Sequence, residues 1–176
     1  FRRAGIRMRT LVFFSIALQL FLGIDCSFGQ VTKFYRLYSG NTDLRLFAVH
    51  QSQDNGFVAA GNATSTIGGN YFIVKVDSIG NEMWRSVGGF FNTLDSDNVT
   101  NSVIQTIDGG YIACGSITQF HPGIGTDYQN FLIKLDSTGQ LLWQKAIGID
   151  TCYESLWDLT SLSTGEFICV GLQYTN

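Results

Sequence analysis

Apolar positions along this chain fall into two kinds of pattern. Near the start, Leu11–Leu22 is an apolar stretch diluted only by Ser15 and Gln19. Further on, short apolar runs of strand length alternate with Gly-, Asp- and Asn-rich punctuation. Tyr111-Ile112-Ala113-Cys114-Gly115 and Phe131-Leu132-Ile133 are nearly continuous runs. A strand with one wet face alternates apolar with polar residues, so such runs predict strands covered on both faces. The punctuation predicts tight turns at Asp108-Gly109-Gly110 and Asp136-Ser137-Thr138-Gly139. In each, Asp accepts backbone hydrogen bonds at the turn start, and the Gly at the end takes the φ > 0 position.

The pattern recurs. Asp54-Asn55-Gly56-Phe57-Val58-Ala59-Ala60-Gly61 matches Asp108-Gly109-Gly110-Tyr111-Ile112-Ala113-Cys114-Gly115, with a weaker copy at Thr164–Gly171. Phe72-Ile73-Val74-Lys75-Val76-Asp77 and Trp84 match Phe131-Leu132-Ile133-Lys134-Leu135-Asp136 and Trp143. Gly61, Gly115 and Gly171 lie 54 and 56 residues apart, and the two tryptophans 59 apart. Self-similarity at a fixed period marks a repeat architecture. Each unit reads as four short strands; in the second they are about 102–107, 111–117, 131–136 and 140–147. The fold class expected is all-β: stacked antiparallel four-stranded blades of an incomplete β-propeller, each blade covered by its neighbours. Phe34–Gly40 resembles a fourth strand, so residues 30–176 are expected to hold one opening strand, two full blades and half a blade. A closed propeller takes about 4–8 blades, which makes the chain the N-terminal fragment of a longer protein on this reading.

The N-terminal stretch changes the domain picture. Met8 is the expected start, Arg9 supplies the basic flank, and Ser27 and Gly29 place small residues at −3 and −1 of a cut before Gln30. Residues 1–29 therefore read as upstream residues plus a secretory signal peptide, and the product as secreted or held at the cell surface. The apolar run falls short of the roughly 20 residues that span a bilayer, so no membrane span is expected in the mature chain. Removing these residues leaves seven Lys/Arg against thirteen Asp/Glu, a net charge of −6. Such an acidic surface is a poor match for phosphate backbones, so nucleic acid is excluded as a partner. Cys114, Cys152 and Cys169 also remain, an odd number that rules out complete internal pairing. Cys114 and Cys169 sit in apolar strands, where a small buried residue is the expected role; the state of Cys152 stays open.

Ile104–Ile112, together with Lys134-Leu135-Asp136-Ser137-Thr138-Gly139 and Trp143, resembles the propeller repeats of proteins secreted by Bacteroidota. The resemblance covers about residues 34–176. It implies cell export, and those proteins often carry a type IX secretion sorting domain. The stretch Asp136–Trp143 is also similar to the tryptophan-docking motif of quinoprotein propellers, with an Asp-to-Trp gap one residue shorter and Ile79 in place of Thr in the other copy. What that likeness implies is mechanical: the tryptophan packs between blades while the Asp/Gly turn fixes the hairpin.

Candidate chemistry is sparse. His50 and His121 are the two histidines and stand at unrelated repeat positions, and no nucleophile elbow, HExxH or phosphate loop occurs. No cofactor is expected. Asp95, Asp97 and Asn98 offer alternating oxygen ligands that suit Ca²⁺, without the glycine and glutamate of an EF-hand loop. The segment Ser116–Asn130 reads as a long loop between the second and third strands. It carries Phe120, His121, Asp127 and Tyr128 as candidate binding residues, because insertions in repeat folds gather on a binding face. The function expected is an exported non-catalytic repeat scaffold that binds an extracellular protein or a glycan. The alternative is the N-terminal part of an extracellular enzyme whose active site lies further along the chain.

Overall fold

The computed structural model describes residues 43–65, 68–89, 97–121, 125–148 and 152–175. The chain divides into two units, Phe1–Lys33 and Phe34–Asn176, and every described residue belongs to the second. The signal-peptide segment and the opening strand expected at Phe34–Gly40 lie outside the described residues. Among the described residues no helix is long and apolar enough to cross a membrane.

The fold is all-β. Ten strands follow in order: β1 (Asp43–Gln51), β2 (Phe57–Ser65), β3 (Gly68–Val76), β4 (Glu82–Gly88), β5 (Asp97–Gln105), β6 (Tyr111–His121), β7 (Gly125–Leu135), β8 (Leu141–Ile147), β9 (Cys152–Ser161) and β10 (Phe167–Thr175). β1-β2-β3-β4 form an antiparallel meander, the first sheet. β5-β6-β7-β8 form a second meander with the same pairings. The β9–β10 hairpin joins the second sheet through one parallel bridge, Tyr128 to Tyr153. Neither sheet closes on itself among the described residues.

Turn chemistry explains the hairpins. In five turns the backbone N–H of the third turn residue donates back to the carbonyl before the turn, and the strand pair closes one residue later. This is a type I turn followed by a residue with φ > 0. That residue is Gly80 and Gly139 after the third strands, as the sequence predicts. In the Asp108-Gly109-Gly110 turn it is Gly109, one position earlier than expected, and in the remaining two turns it is Asn55 and Gly165. Gly56 and Gly110 serve a different need: a Cβ on either would collide with a lysine Nζ and a neighbouring backbone carbonyl.

The recurring Gly61, Gly115 and Gly171 also have a packing reason. Each faces an irregular register in the adjacent first strand, where Phe47, Asn101 and Trp157 are extra residues. Such a bulge bends its strand and brings a carbonyl onto the glycine. A Cβ would strike the carbonyl oxygen of Arg45, Val99 or Ser155.

The core has layers. Val58, Ala60 and Ile73 of the first sheet meet Val103, Tyr111, Ala113, Phe131, Ile133 and Leu135 of the second. The opposite face of the second sheet, Ile104, Ile112, Cys114 and Leu132, meets Leu159, Phe167 and Cys169 of the hairpin. The second sheet is thus covered on both faces, which is why Tyr111–Cys114 and Phe131–Ile133 read as nearly continuous apolar runs. Lys75 and Lys134 interrupt those third-strand runs and are nevertheless buried.

One expectation fails. Ser116–Asn130 is not a long loop: β6 runs to His121, β7 starts at Gly125, and Gln119 pairs with Asp127. Thr118, Phe120, Thr126 and Tyr128 favour extended backbone, and the hairpin ladder outweighs the loop-like Gln, His and Asp among them. The first strand of this unit likewise begins earlier than predicted, at Asp97.

Candidate functional site

A cleft of about 650 Å³ lies where the two sheets meet at their turn ends. The first sheet contributes Gln53 and Asp54 from the β1–β2 turn, Lys75 from β3, and Met83 and Trp84 from β4. The second contributes Gln105, Tyr111, Ser137 and Thr138.

Lys75 anchors one wall. Its side chain is 2% exposed, and Nζ donates to both carboxylate oxygens of Asp54 at 3.0 and 2.8 Å and to the Val76 carbonyl at 2.9 Å. A buried ammonium is costly unless paired and hydrogen-bonded, and the turn aspartate supplies the pair. Asp54 also accepts the Gly56 N–H at 2.9 Å, so the ion pair and the turn hold each other. Hydrogen bonding from Lys75 lowers the Asp54 carboxyl below its usual range.

The second sheet repeats this arrangement. Lys134 Nζ donates to Thr106 Oγ1 at 2.7 Å and to Asp108 Oδ1 at 2.9 Å, while the Thr106 hydroxyl donates to the same carboxylate oxygen. The Thr106 hydrogen bond, then Lys134, bring the Asp108 carboxyl down to about 2. The hairpin lacks the aspartate. Thr164 stands there and donates to Glu166.

Trp84 forms the junction. It follows a register shift in β4 and stands opposite Lys75, as Trp143 stands opposite Lys134 in β8. Trp84 packs edge-on against Tyr111, with centroids 5.2 Å apart. Its ring also lies against the backbone of Gly139, leaving no room for a Cβ there. The packing role that the likeness of Asp136–Trp143 implies for a tryptophan falls at this junction to its counterpart Trp84, while Trp143 itself is 36% exposed. The turn itself is fixed by Asp136, which accepts the Thr138 and Gln140 N–H groups at 2.8 and 2.9 Å. Across the cleft floor the Gln53 N–H donates to Gln105 Oε1 at 2.7 Å, and burial pushes the Tyr111 phenol up.

Of the residues singled out from sequence, Asn98 and Tyr128 lie outside this cleft. Asp95 is outside the described residues, as are the side chains of Asp97, Phe120, His121 and Asp127. In the backbone, Asp97 pairs with Thr118, Phe120 with Thr126, and His121 with Gly125. Asn98 is fully buried within β5. Among the described residues no three His, Cys, Asp or Glu side chains form a metal shell. The Tyr128 ring lies tilted on Tyr153 with centroids 4.1 Å apart, and Tyr153 meets Tyr174 edge-on at 6.1 Å, a row that ties the hairpin to the second sheet. Cys114 and Cys169 share one apolar cluster, where burial, then the neighbouring Cys169, push the Cys114 thiol up to about 12. Cys152 is a buried free thiol.

The cleft residues were visible in sequence only as members of the repeat. The usable signal was a lysine inside an apolar strand run that recurs together with an aspartate in the preceding turn. No protein-family model matches the chain, and no curated protein matches it.

Proposed function

We propose that this chain is an exported, non-catalytic repeat scaffold of β-propeller type that holds a neutral glycan in the cleft between successive sheets. The cleft carries the reading. Trp84 and Tyr111 offer aromatic surface for the apolar C–H face of a sugar ring, and Gln53, Gln105, Ser137 and Thr138 offer amide and hydroxyl groups for its hydroxyls. Mostly apolar walls with a few convergent polar groups are the usual make-up of a small-ligand site. Its charges are already spent on one another in the Lys75–Asp54 pair, which favours an uncharged ligand.

Two further observations support the propeller reading. β5 packs against β1, β2 and β3 just as β9 packs against β5, β6 and β7, so the first strands draw together. Each sheet also meets its neighbour through the same residue positions. Export rests on the Met8–Gly29 pattern, and protein recovered outside the cell is expected to begin at Gln30; an intact Met8 terminus refutes export.

The test of the ligand reading is a tryptophan-fluorescence and calorimetric titration with a panel of neutral oligosaccharides. Binding that is lost in Trp84→Ala and kept in Trp143→Ala supports the cleft. Equal binding by both variants, or none by the unchanged protein, sinks it.

A further inference from the structure

Three cysteines fall among the described residues, all as free thiols, and two of them meet. Cys114 of β6 is fully buried on the face that the second sheet turns to the hairpin. Cys169 of β10 packs into the same apolar cluster from the hairpin side. Polar contacts beside them hold the two strands in this place. Ser102, the cross-strand neighbour of Cys114, donates to Asp158 Oδ1 at 2.7 Å. Asp158 precedes Leu159, the cross-strand neighbour of Cys169. The two thiols are hydrogen-bonded to each other.

The repeat shows why this pair of positions can hold a bridge. Cys114 stands where the first sheet has Ala60, and Cys169 where the second sheet has Ala113. Those two alanines are fully buried in the cluster that joins the first and second sheets. Each junction is thus built around small side chains here, one from either sheet. A disulfide needs such closeness, since its two β-carbons stand only about 4 Å apart. Cys152 has no such place: it begins β9, in register with Thr175, at the far end of the hairpin from its turn.

We propose that Cys114 and Cys169 are the two halves of a disulfide that fastens the β9–β10 hairpin to the second sheet, leaving Cys152 as the odd thiol. The bond forms by exchange with a small-molecule or protein disulfide. Cys169 is half-buried and leads. Its thiolate attacks one sulfur of the oxidant, forms a mixed disulfide and releases the other sulfur. Cys114 follows, because burial holds its thiol up at about 12 and keeps it from starting the exchange. It passes its proton to the departing sulfur and takes its place on Cys169. Two S–H bonds are lost, one S–S bond is gained, and the oxidant's disulfide is reduced to two thiols. Persistence of the bond in the cell rests on the export reading, because a reducing compartment would reopen it. Its formation in a fixed redox buffer depends neither on export nor on what the cleft binds.

The experiment incubates the folded, reduced 176-residue chain with oxidised glutathione and blocks the remaining thiols by alkylation. Mass spectrometry then maps the link after cleavage at Glu154 and Glu166, which separates Cys152 from Cys169. The expected product joins Cys114 to Cys169 and carries Cys152 alkylated. Its denaturation midpoint is expected to rise and to revert on reduction with dithiothreitol. Cys114→Ala and Cys169→Ala each install the residue that a neighbouring unit already uses there, and circular dichroism checks that both keep their strand content. Both variants are expected to lose the link and the gain in midpoint, and Cys152→Ala to keep them. Glutathione trapped on Cys169 in Cys114→Ala is expected to exceed that on Cys114 in Cys169→Ala by at least about tenfold. Absence of a Cys114–Cys169 link, a link through Cys152 in its place, or a midpoint unmoved by oxidation overturns the proposal. Equal adducts in the two single variants overturn the order of attack.

Discussion

Trp84 and Trp143 hold the same place in successive sheets, yet they live in different surroundings. Each follows a bulge in a fourth strand and stands opposite a buried lysine. Trp84 is half-buried against Tyr111 and the Gly139 turn of the next sheet. Trp143 is 36% exposed, with the Lys145 ammonium 5.7 Å from its ring. The strand sets where the side chain points, and the neighbouring sheet decides whether it is covered. Stability in this fold is therefore expected to rest on the contacts between sheets more than on single sheets.

The comparison breaks most severely at the centre of the first junction. Phe131 is fully buried there. Phe131→Ala is expected to lower the unfolding free energy by about 3–5 kcal/mol, measured by chemical denaturation. A loss below about 1 kcal/mol would mean that the two sheets do not stabilise each other.

The tryptophans themselves sharpen the contrast. Trp84→Ala is expected to cost about 2–3 kcal/mol, less than a fully buried aromatic, and Trp143→Ala less than about 1 kcal/mol. Equal losses in parallel melts would remove the distinction between covered and uncovered positions.

Glycines give a smaller and more local test. Gly115→Ala drives a methyl group into the Val99 carbonyl across the β5 bulge and is expected to cost about 1.5 kcal/mol. Gly109→Ala meets nothing nearby and suffers only from its φ of 78°, at about 1 kcal/mol. The reverse ranking would show that turn conformation outweighs the bulge contact.

The smallest effect is in pH. The Asp108 carboxyl is depressed from 3.8 to about 2 in the folded chain. A depressed carboxyl stabilises the fold above its unfolded pKa and loses that contribution as protons bind to the folded form. The contribution is therefore complete above pH 3.8 and disappears as pH falls toward about 2. Asp108 is largely exposed, so solvent screening holds the effect below about 1 kcal/mol. Asp108→Asn is expected to flatten the acid limb of a stability–pH curve in that window, and an unchanged limb would show that Lys134 does not need the charge.

Much of this architecture was legible in the residues. The strand runs and the Asp136–Gly139 turn follow from local chemistry and spacing. The strand order within each meander follows as well, because short turns join antiparallel neighbours. What stayed hidden needed the third dimension. Gly61, Gly115 and Gly171 announce themselves by recurrence, but nothing in the string says that a carbonyl presses on each. Lys75 and Lys134 look misplaced in apolar strands until the turn aspartates 21 and 26 residues earlier are seen beside them. The 116–130 segment misleads because its polar composition resembles a loop, while a hairpin ladder satisfies those backbones better than water does.

The bulge in each first strand bears on how such a chain diversifies. The glycine opposite it never changes, whereas the extra residue is Phe47, Asn101 and Trp157 in turn. A bulged residue has no ladder partner of its own, so its identity is released from the pairing rules that bind its neighbours. Asn101 uses that licence to donate its side-chain amide to the Leu156 carbonyl of the hairpin at 2.7 Å. The bulged position is thereby open to mutation without disturbing the backbone around it, and in β5 and β9 it lies on the strand that packs against the preceding sheet.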